Sequence, residues 1–145
     1  MKKVILIIKK VQIGCLAIVL LAVFMGCSKD KKILIGSSWK VVSIKANENS
    51  EKEYNHCNGG EVYLCIGEDI FYLMSSWDCQ VSGKVRVGNS KISFLSDYVY
   101  TGLSNKFMED CGNLLIDKID HYEIYGHKLV LTGKKGAEIN LVVYL

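Results

Sequence analysis

Apolar and polar residues alternate along much of the chain after residue 38, and the segment 79–87 shows this most clearly. Cys79, Val81, Val85 and Val87 fall on one face of an extended chain, and the residues between them are polar or glycine. A period of two residues is typical of a strand with one buried face. The segment is therefore predicted to be a half-buried β-strand.

Similar short runs, bounded by turn residues, bring the predicted number of strands to about eight. The first begins near Trp39, and Gly67-Glu68 splits one apolar region into a hairpin. The last three form a meander, and Ile139 and Leu141 are predicted to face inward in the final strand. Besides 79–87, the predicted strands are 39–46, 61–66, 69–75, 91–95, 121–125, 128–132 and 137–145.

The segment 104–119 has a different period, because its apolar residues recur at steps of three and four, as on one side of a helix. Ser104 or Asn105 would cap its N-terminus. Gly112 lowers the helix propensity by about 1 kcal/mol, which predicts a short or interrupted helix. The apolar stripe consists of Phe107, Cys111, Leu114 and Leu115.

These elements predict a mainly β (α+β) domain: a small antiparallel β-barrel or strongly curved sheet of about eight strands. One helix is inserted before the last three strands and covers an opening or a face. The segment 47–60 has almost no apolar periodicity, so it is predicted to be a loop. Loops of this length often carry function, and the alternative is an exposed connection held by Cys57.

The start of the chain has the layout of a secretory signal peptide. Residues 1–10 contain four lysines and no acid, and residues 11–26 are almost wholly apolar. The alternative is a retained transmembrane anchor. As a helix, at about 1.5 Å per residue, the apolar run would span roughly 24 Å, which is less than the roughly 30 Å of a membrane core. Gly26 directly before Cys27 resembles the end of a bacterial lipoprotein signal, where the cysteine is acylated and becomes the first residue.

The leader therefore predicts the domain organisation and the location. Residues 1–26 are the signal peptide, 27–33 the lipidated cysteine and a hydrophilic tether, and 34–145 one folded domain. Acyl chains on Cys27, at about 0.8 kcal/mol per buried methylene, would hold the protein on a membrane of the bacterial cell envelope. The predicted location is the outer membrane, with the domain facing the periplasm or the cell surface.

The charge balance changes once the leader is removed. The whole chain has a formal net charge of +3, and the four lysines of the leader leave the mature part at −1. Binding of nucleic acid requires a retained basic surface, so that class of partner is excluded.

The mature chain keeps four cysteines besides Cys27. In an exported domain, an even number predicts two disulfides, with three connectivities that the sequence does not separate. In a reducing compartment, all four would instead be free buried thiols. Their wide spacing disfavours a metal site. The candidate disulfide cysteines are Cys57, Cys65, Cys79 and Cys111.

The order of these segments resembles the META/HslJ-like domain of small bacterial envelope lipoproteins. The residues that carry the resemblance are GSSWKVVSI, WDCQVSGKVRVGNSKISF and IDHYEIYGHKLVLTGKKGAEINLVVY, and it covers roughly residues 34–144. Cys79 matches the Gly-Cys-Asn position of the family, although Gln80 replaces the asparagine. Thr101 matches a Thr-x-Met-Ala-Cys element, although the next cysteine, Cys111, lies further on. The resemblance implies a β-rich envelope domain linked to stress tolerance, with no enzymatic site.

A second resemblance, resting on the G-x-x-W-K start at Gly36 to Lys40, is to lipocalin-like domains of envelope proteins. It implies a barrel that carries a small apolar ligand. The sequence contains no catalytic motif around His56, His121 or His127, and adjacent acids usually face water. The chain is therefore predicted not to be an enzyme and to need no cofactor or metal.

The aromatic residues of the loop and the middle strands favour either core packing or a surface for a protein or small-molecule ligand. Three hypotheses follow: an envelope lipoprotein with a binding or stress-tolerance role, a lipocalin-like carrier, and an inhibitor of an attacking lysozyme or protease that presents the loop 47–60. The candidate binding surface consists of Tyr54, His56, Trp77, Tyr98 and Tyr100.

Overall fold

The structure, a computed structural model, describes residues 29–55, 60–75, 80–95, 99–101 and 106–145. Helix α1 covers 29–36, and helix α2 is Lys106–Asp117. The strands are β1 Ser38–Lys45, β2 Glu53–Tyr54, β3 Val62–Ile66, β4 Ile70–Ser75, β5 Gln80–Val87, β6 Ile92–Phe94, β7 Val99–Thr101, β8 Ile119–Tyr125, β9 Lys128–Gly133 and β10 Glu138–Tyr144.

All the strand pairings are antiparallel, and eight strands follow one another in the order β6-β5-β4-β3-β1-β10-β9-β8. The two short strands are additions to this path, since β2 pairs with β1 and β7 pairs with β5.

The two ends of the sheet meet and nearly close it into a barrel. Lys91 forms an isolated antiparallel bridge with His121. Next to it, the Tyr122 amide donates to the Ser90 carbonyl at 2.9 Å, and the Tyr122 hydroxyl donates to the Gly88 carbonyl at 2.9 Å. These bonds satisfy backbone groups that would otherwise form open sheet edges.

The predicted fold class is confirmed, including the helix inserted before the last three strands. The alternation predicted for β5 is also present, with Val81 and Val85 buried and Lys84 and Arg86 exposed. The loop 47–60 differs in part from its prediction, because β2 lies within it.

Helix α1 was not predicted, and it includes residues 29–32, which the sequence suggested were a tether. Leu34 of this helix is 0 % exposed, and Ile33 and Ile35 pack against the core. The indole Nε1 of Trp39 donates to the Leu34 carbonyl at 3.2 Å. The helix is therefore part of the folded domain.

Helix α2 places its predicted stripe against the sheet, and it runs unbroken through Gly112. Gly112 is buried, and a Cβ at this position would lie 3.8 Å from Leu73 Cδ2, an ordinary contact distance. The buried residues of the helix are Phe107, Met108, Cys111, Gly112, Leu114 and Leu115.

Side chains fill the interior of the barrel. The rings of Phe71 and Phe94 meet edge to face at 5.0 Å. A cavity able to hold a ligand would leave its lining residues accessible, whereas the main inward-facing side chains are no more than 2 % exposed. These are Trp39, Leu64, Phe71, Leu73, Leu115, Leu129, Leu131, Ile139 and Leu141.

Candidate functional site

The described structure has a groove between helix α2 and the chain segment 44–53. Its volume is about 400 Å³. Buried Ile44 and Leu114, together with exposed Ala46, form an apolar floor. Its other lining residues are polar or charged: Ser50, Glu51, Glu53, Asp110, Asn113, Asp117 and Lys118.

Four carboxylates surround the floor of this groove, from Glu51 and Glu53 on one side and Asp110 and Asp117 on the helix. Asp110 accepts a hydrogen bond from the Lys106 amine at 2.6 Å, and this ion pair raises the pKa of Lys106. No three His, Cys, Asp or Glu side chains of the described residues are grouped closely enough to hold a metal ion. The acidic charge is therefore spread along the groove.

Lys118 ties the end of the helix to the opposite wall. Its Nζ donates to the Ala46 carbonyl at 2.7 Å, and its backbone amide donates to Leu114 at 3.1 Å. The lysine amine is thus directed at a backbone oxygen. Together with Lys106, which pairs with Asp110, it leaves two more carboxylates than amines at the groove.

A compact turn at residues 47–50 supports the loop wall of the groove. The Asn47 amide donates to the Ser50 hydroxyl at 2.9 Å, and that hydroxyl donates to the Asn47 carbonyl, also at 2.9 Å. The Glu48 amide donates to the Lys135 carbonyl at 2.9 Å. Gly136, at φ +76, lies so close that a Cβ there would be 2.9 Å from the Glu48 nitrogen. A glycine at 136 is what allows this approach.

A second support lies at Lys52, whose amine pairs with Glu138 at 3.0 Å. The Asn140 amide also donates to Glu138, at 2.6 Å. The Asn140 hydrogen bond and then the Lys52 contact hold the pKa of Glu138 below its ordinary value of 4.5. Together with the β1–β2 pairing, these contacts hold the wall in place without a ligand.

The helix end at the groove is unusually acidic. Asp117 is the last residue of α2, and the last turn of this helix contains no basic residue. A helix C-terminus carries partial negative charge, so an acid there costs stability and adds to the negative potential.

A separate polar cluster links β1, β3 and β10 on the outside of the barrel. Glu61 accepts from both Lys40 and Tyr63, and the Tyr63 ring meets Tyr144 edge to face at 4.9 Å. The bond to Glu61 raises the pKa of Tyr63 to about 12, and the Lys40 and Tyr63 bonds lower that of Glu61. Every member is satisfied by its neighbours, so the cluster is structural.

The structure describes only part of the predicted aromatic surface. Tyr54 is 53 % exposed on β2, beside Glu53 of the groove, but does not itself line it. Of Tyr100 only the backbone is described, on β7. His56, Trp77 and Tyr98 lie outside the described residues.

Two of the predicted disulfide cysteines are free thiols. Cys111 is buried in the core, and burial raises its pKa to about 12. Cys65 is half-buried on β3, with its sulfur 3.3 Å from the Ser38 hydroxyl. Neither of these two cysteines is disulfide-bonded in the described structure, which corresponds to the free-thiol alternative at these positions. The framework of two disulfides stays a prediction. Cys57, Cys79 and the proposed lipidation site Cys27 lie outside the described residues.

The two histidines in the described part lie on the surface. His121 Nδ1 is 2.7 Å from Asp120 Oδ1, with both side chains about half exposed, and His127 is exposed in the β8–β9 turn. The groove acids were missed by sequence reasoning. Their local signals were Asp117 at the end of a helix whose last turn has no base, and the two glutamates in a loop.

No protein-family model matches the sequence, and no curated protein matches it either. Two solved structures share its fold. A protein from Burkholderia xenovorans, solved by NMR, is 13% identical with a TM-score of 0.61, covering 79% of this chain and 86% of that one. A DUF4847 family protein from Bacteroides vulgatus is 14% identical with a TM-score of 0.58, covering 77% and 95%. At these identities the likeness extends to the fold alone.

Proposed function

We propose that this chain is a non-enzymatic lipoprotein of the bacterial cell envelope, held by acylated Cys27, whose META/HslJ-like β domain binds a partner or supports stress tolerance. The leader carries the proposal, because a basic start, an apolar run and Gly26-Cys27 occur together in the order that lipoprotein export requires. Within the described ranges, no helix has the length and apolar character needed to cross a membrane.

Helix α1 gives the proposed anchor a structural consequence. Residue 29, two positions after Cys27, is already helical, and Leu34 is buried in the core. The helical steps from residue 29 to Leu34 span about 7.5 Å, and the two residues before residue 29 can add at most about 7 Å. An acylated Cys27 would therefore lie within roughly 15 Å of that contact. The domain would sit close to the membrane with a restricted orientation, instead of on a loose tether.

The positions of the reactive side chains favour binding over catalysis. Cys111 is sealed in the core, and a thiol with a pKa raised to about 12 is a poor nucleophile at neutral pH. His121 and its neighbour Asp120 lie on the outer surface, away from the groove. The groove itself offers spread charge and an apolar floor, which are recognition features.

The lipocalin-like carrier remains the alternative that the barrel suggested. A carrier needs an apolar interior cavity of roughly 300 Å³ or more. Among the described residues, the main inward-facing side chains have almost no exposed area, and the described groove is lined by helix α2 and residues 44–53. These observations weigh against the carrier.

The inhibitor hypothesis gains one supporting observation. Part of the loop 47–60 forms a wall of the groove through Ser50, Glu51 and Glu53. The ion pair between Lys52 and Glu138 supports that wall. A preformed loop surface is the kind of feature that protein inhibitors present to an enzyme. It stands as the second candidate function.

Mass spectrometry of the mature protein tests the main proposal. We expect cleavage before Cys27 and a mass increase equal to a diacylglyceryl group, with or without a further acyl chain. A Cys27→Ser variant should keep its leader and lack the lipid. An unmodified Cys27 in the wild-type protein, or cleavage elsewhere, would overturn the lipoprotein assignment.

A further inference from the structure

We infer that the groove between α2 and residues 44–53 binds a basic segment of a partner protein, with a lysine or arginine side chain lying along the apolar floor. The inference deepens the proposed binding function, and it rests on that function by naming the chemistry of the partner.

The composition of the groove matches that type of side chain. Lysine and arginine bury an apolar stem and keep a cationic head in polar surroundings. Ile44, Ala46 and Leu114 offer a surface for the stem, and carboxylates lie around it for the head. An apolar ligand would leave the carboxylates unused, and a small anion would be repelled.

Charge complementarity also favours a positively charged occupant. Lys106 already pairs with Asp110, whereas Glu51, Glu53 and Asp117 form no ion pair among the described residues. Asp117 also stands at the negative end of the helix, and the neighbouring Lys118 offsets only part of the repulsion there because its amine is directed at the Ala46 carbonyl. A cationic partner would relieve this repulsion.

The spacing of the acids favours a chain with distributed charge over a single cation. Metal ions need several ligands converging on one point, and the described acids do not form such a group. A partly open groove of about 400 Å³ has room for a long side chain of such a segment. Its walls are held by the 47–50 turn and the Lys52–Glu138 pair, so little ordering cost is expected on binding.

Fluorescence anisotropy of the full chain in a non-ionic detergent tests the inference. The probe is a fluorescein-labelled peptide of alternating lysine and leucine, and detergent alone controls for partitioning. A peptide of alternating glutamate and leucine tests the sign of the charge, and a lysine–glycine peptide tests the apolar floor. We expect the lysine–leucine peptide to bind most tightly, with affinity falling as salt rises towards roughly 0.15 M.

The groove variant is Glu51→Gln combined with Asp117→Asn. Its matched control is Glu68→Gln with Glu123→Gln, which makes the same change in net charge at exposed positions outside the groove. We expect at least a fivefold loss of affinity in the first and less than a twofold change in the second. Because both changes are at exposed sites, and Asp117→Asn relieves the helix end, thermal unfolding should show no loss of stability.

Ala46→Arg places a cation in the groove from an exposed position and is expected to abolish binding. Equal losses in the groove and control variants would overturn the inference, since attraction would then follow total charge. Equal binding of the lysine–glycine peptide, or displacement of the probe by micromolar Ca²⁺, would overturn it too. None of these outcomes alters the mass of Cys27, so failure of the groove and failure of the lipoprotein proposal are distinguishable.

Discussion

The indole Nε1 of Trp39 donates a hydrogen bond to the backbone carbonyl of Leu34 across 3.2 Å, and both side chains are 0 % exposed. Trp39 belongs to the first strand and Leu34 to the helix before it. The contact therefore joins α1 to the barrel. It makes this helix a part of the core.

Leu34→Ala tests this attachment. Truncating a wholly buried leucine removes apolar contacts and leaves a cavity, so we expect the free energy of unfolding to fall by about 2 to 5 kcal/mol. Urea denaturation measures the change. Ile70→Ala, at a strand residue that is 42 % exposed, is the control and should cost much less. A Leu34→Ala protein as stable as the wild type would mean that α1 is not bound to the core.

Gly112→Ala is expected to stabilise the protein by up to about 1 kcal/mol, because alanine is the better helix former and reduces the freedom of the unfolded chain. The new methyl group would meet Leu73 Cδ2 at 3.8 Å, an ordinary contact. Thermal unfolding gives the comparison. Gly133→Ala should do the opposite, since its Cβ would lie 1.9 Å from the Lys118 carbonyl oxygen. If both variants shift stability in the same direction, Leu73 and Lys118 do not lie at these distances from the two glycines.

The lowered pKa of Glu138 predicts that the stability of the fold depends on pH in the acidic range. Its pKa in the folded state is lowered, first by the Asn140 hydrogen bond and then by Lys52. The charged form is therefore favoured by folding, so its contribution is present above the ordinary pKa of 4.5 and is lost as pH falls through the lower folded value. Urea unfolding of wild type and Glu138→Gln at several pH values should show a stability difference that shrinks below about pH 4.5. A difference that stays constant down to pH 2 would contradict the assignment.

The two free thiols should react differently with iodoacetamide. Alkylation requires an accessible thiolate, and Cys111 is buried with its pKa raised to about 12, so it should react only after unfolding. Half-buried Cys65 should react in the native protein. Peptide mass spectrometry without reduction reports both sites. Finding Cys111 linked to another cysteine would contradict its free state.

Local patterns in the sequence predicted the elements that bury one face. The alternation in β5 and the stripe of α2 are visible because each element repeats its own period, and burial selects residues at that period. The same reasoning missed α1, since its polar residues 29–32 look like a linker until Leu34 is seen packed inside the barrel. The disulfides predicted from an even number of cysteines stay a prediction, because such a count carries no distances.

What the sequence determined by itself was most of the strands, helix α2 and the class of fold, and its basic and apolar start predicts export. Only the tertiary structure decided where the barrel closes, at Lys91 and His121, and that its described interior is packed. It also placed Glu51 beside a groove shared with Asp117, on elements far apart along the chain. Period and propensity are properties of neighbouring residues, whereas a groove between two elements depends on how the whole sheet curls, and that is settled only when the core packs.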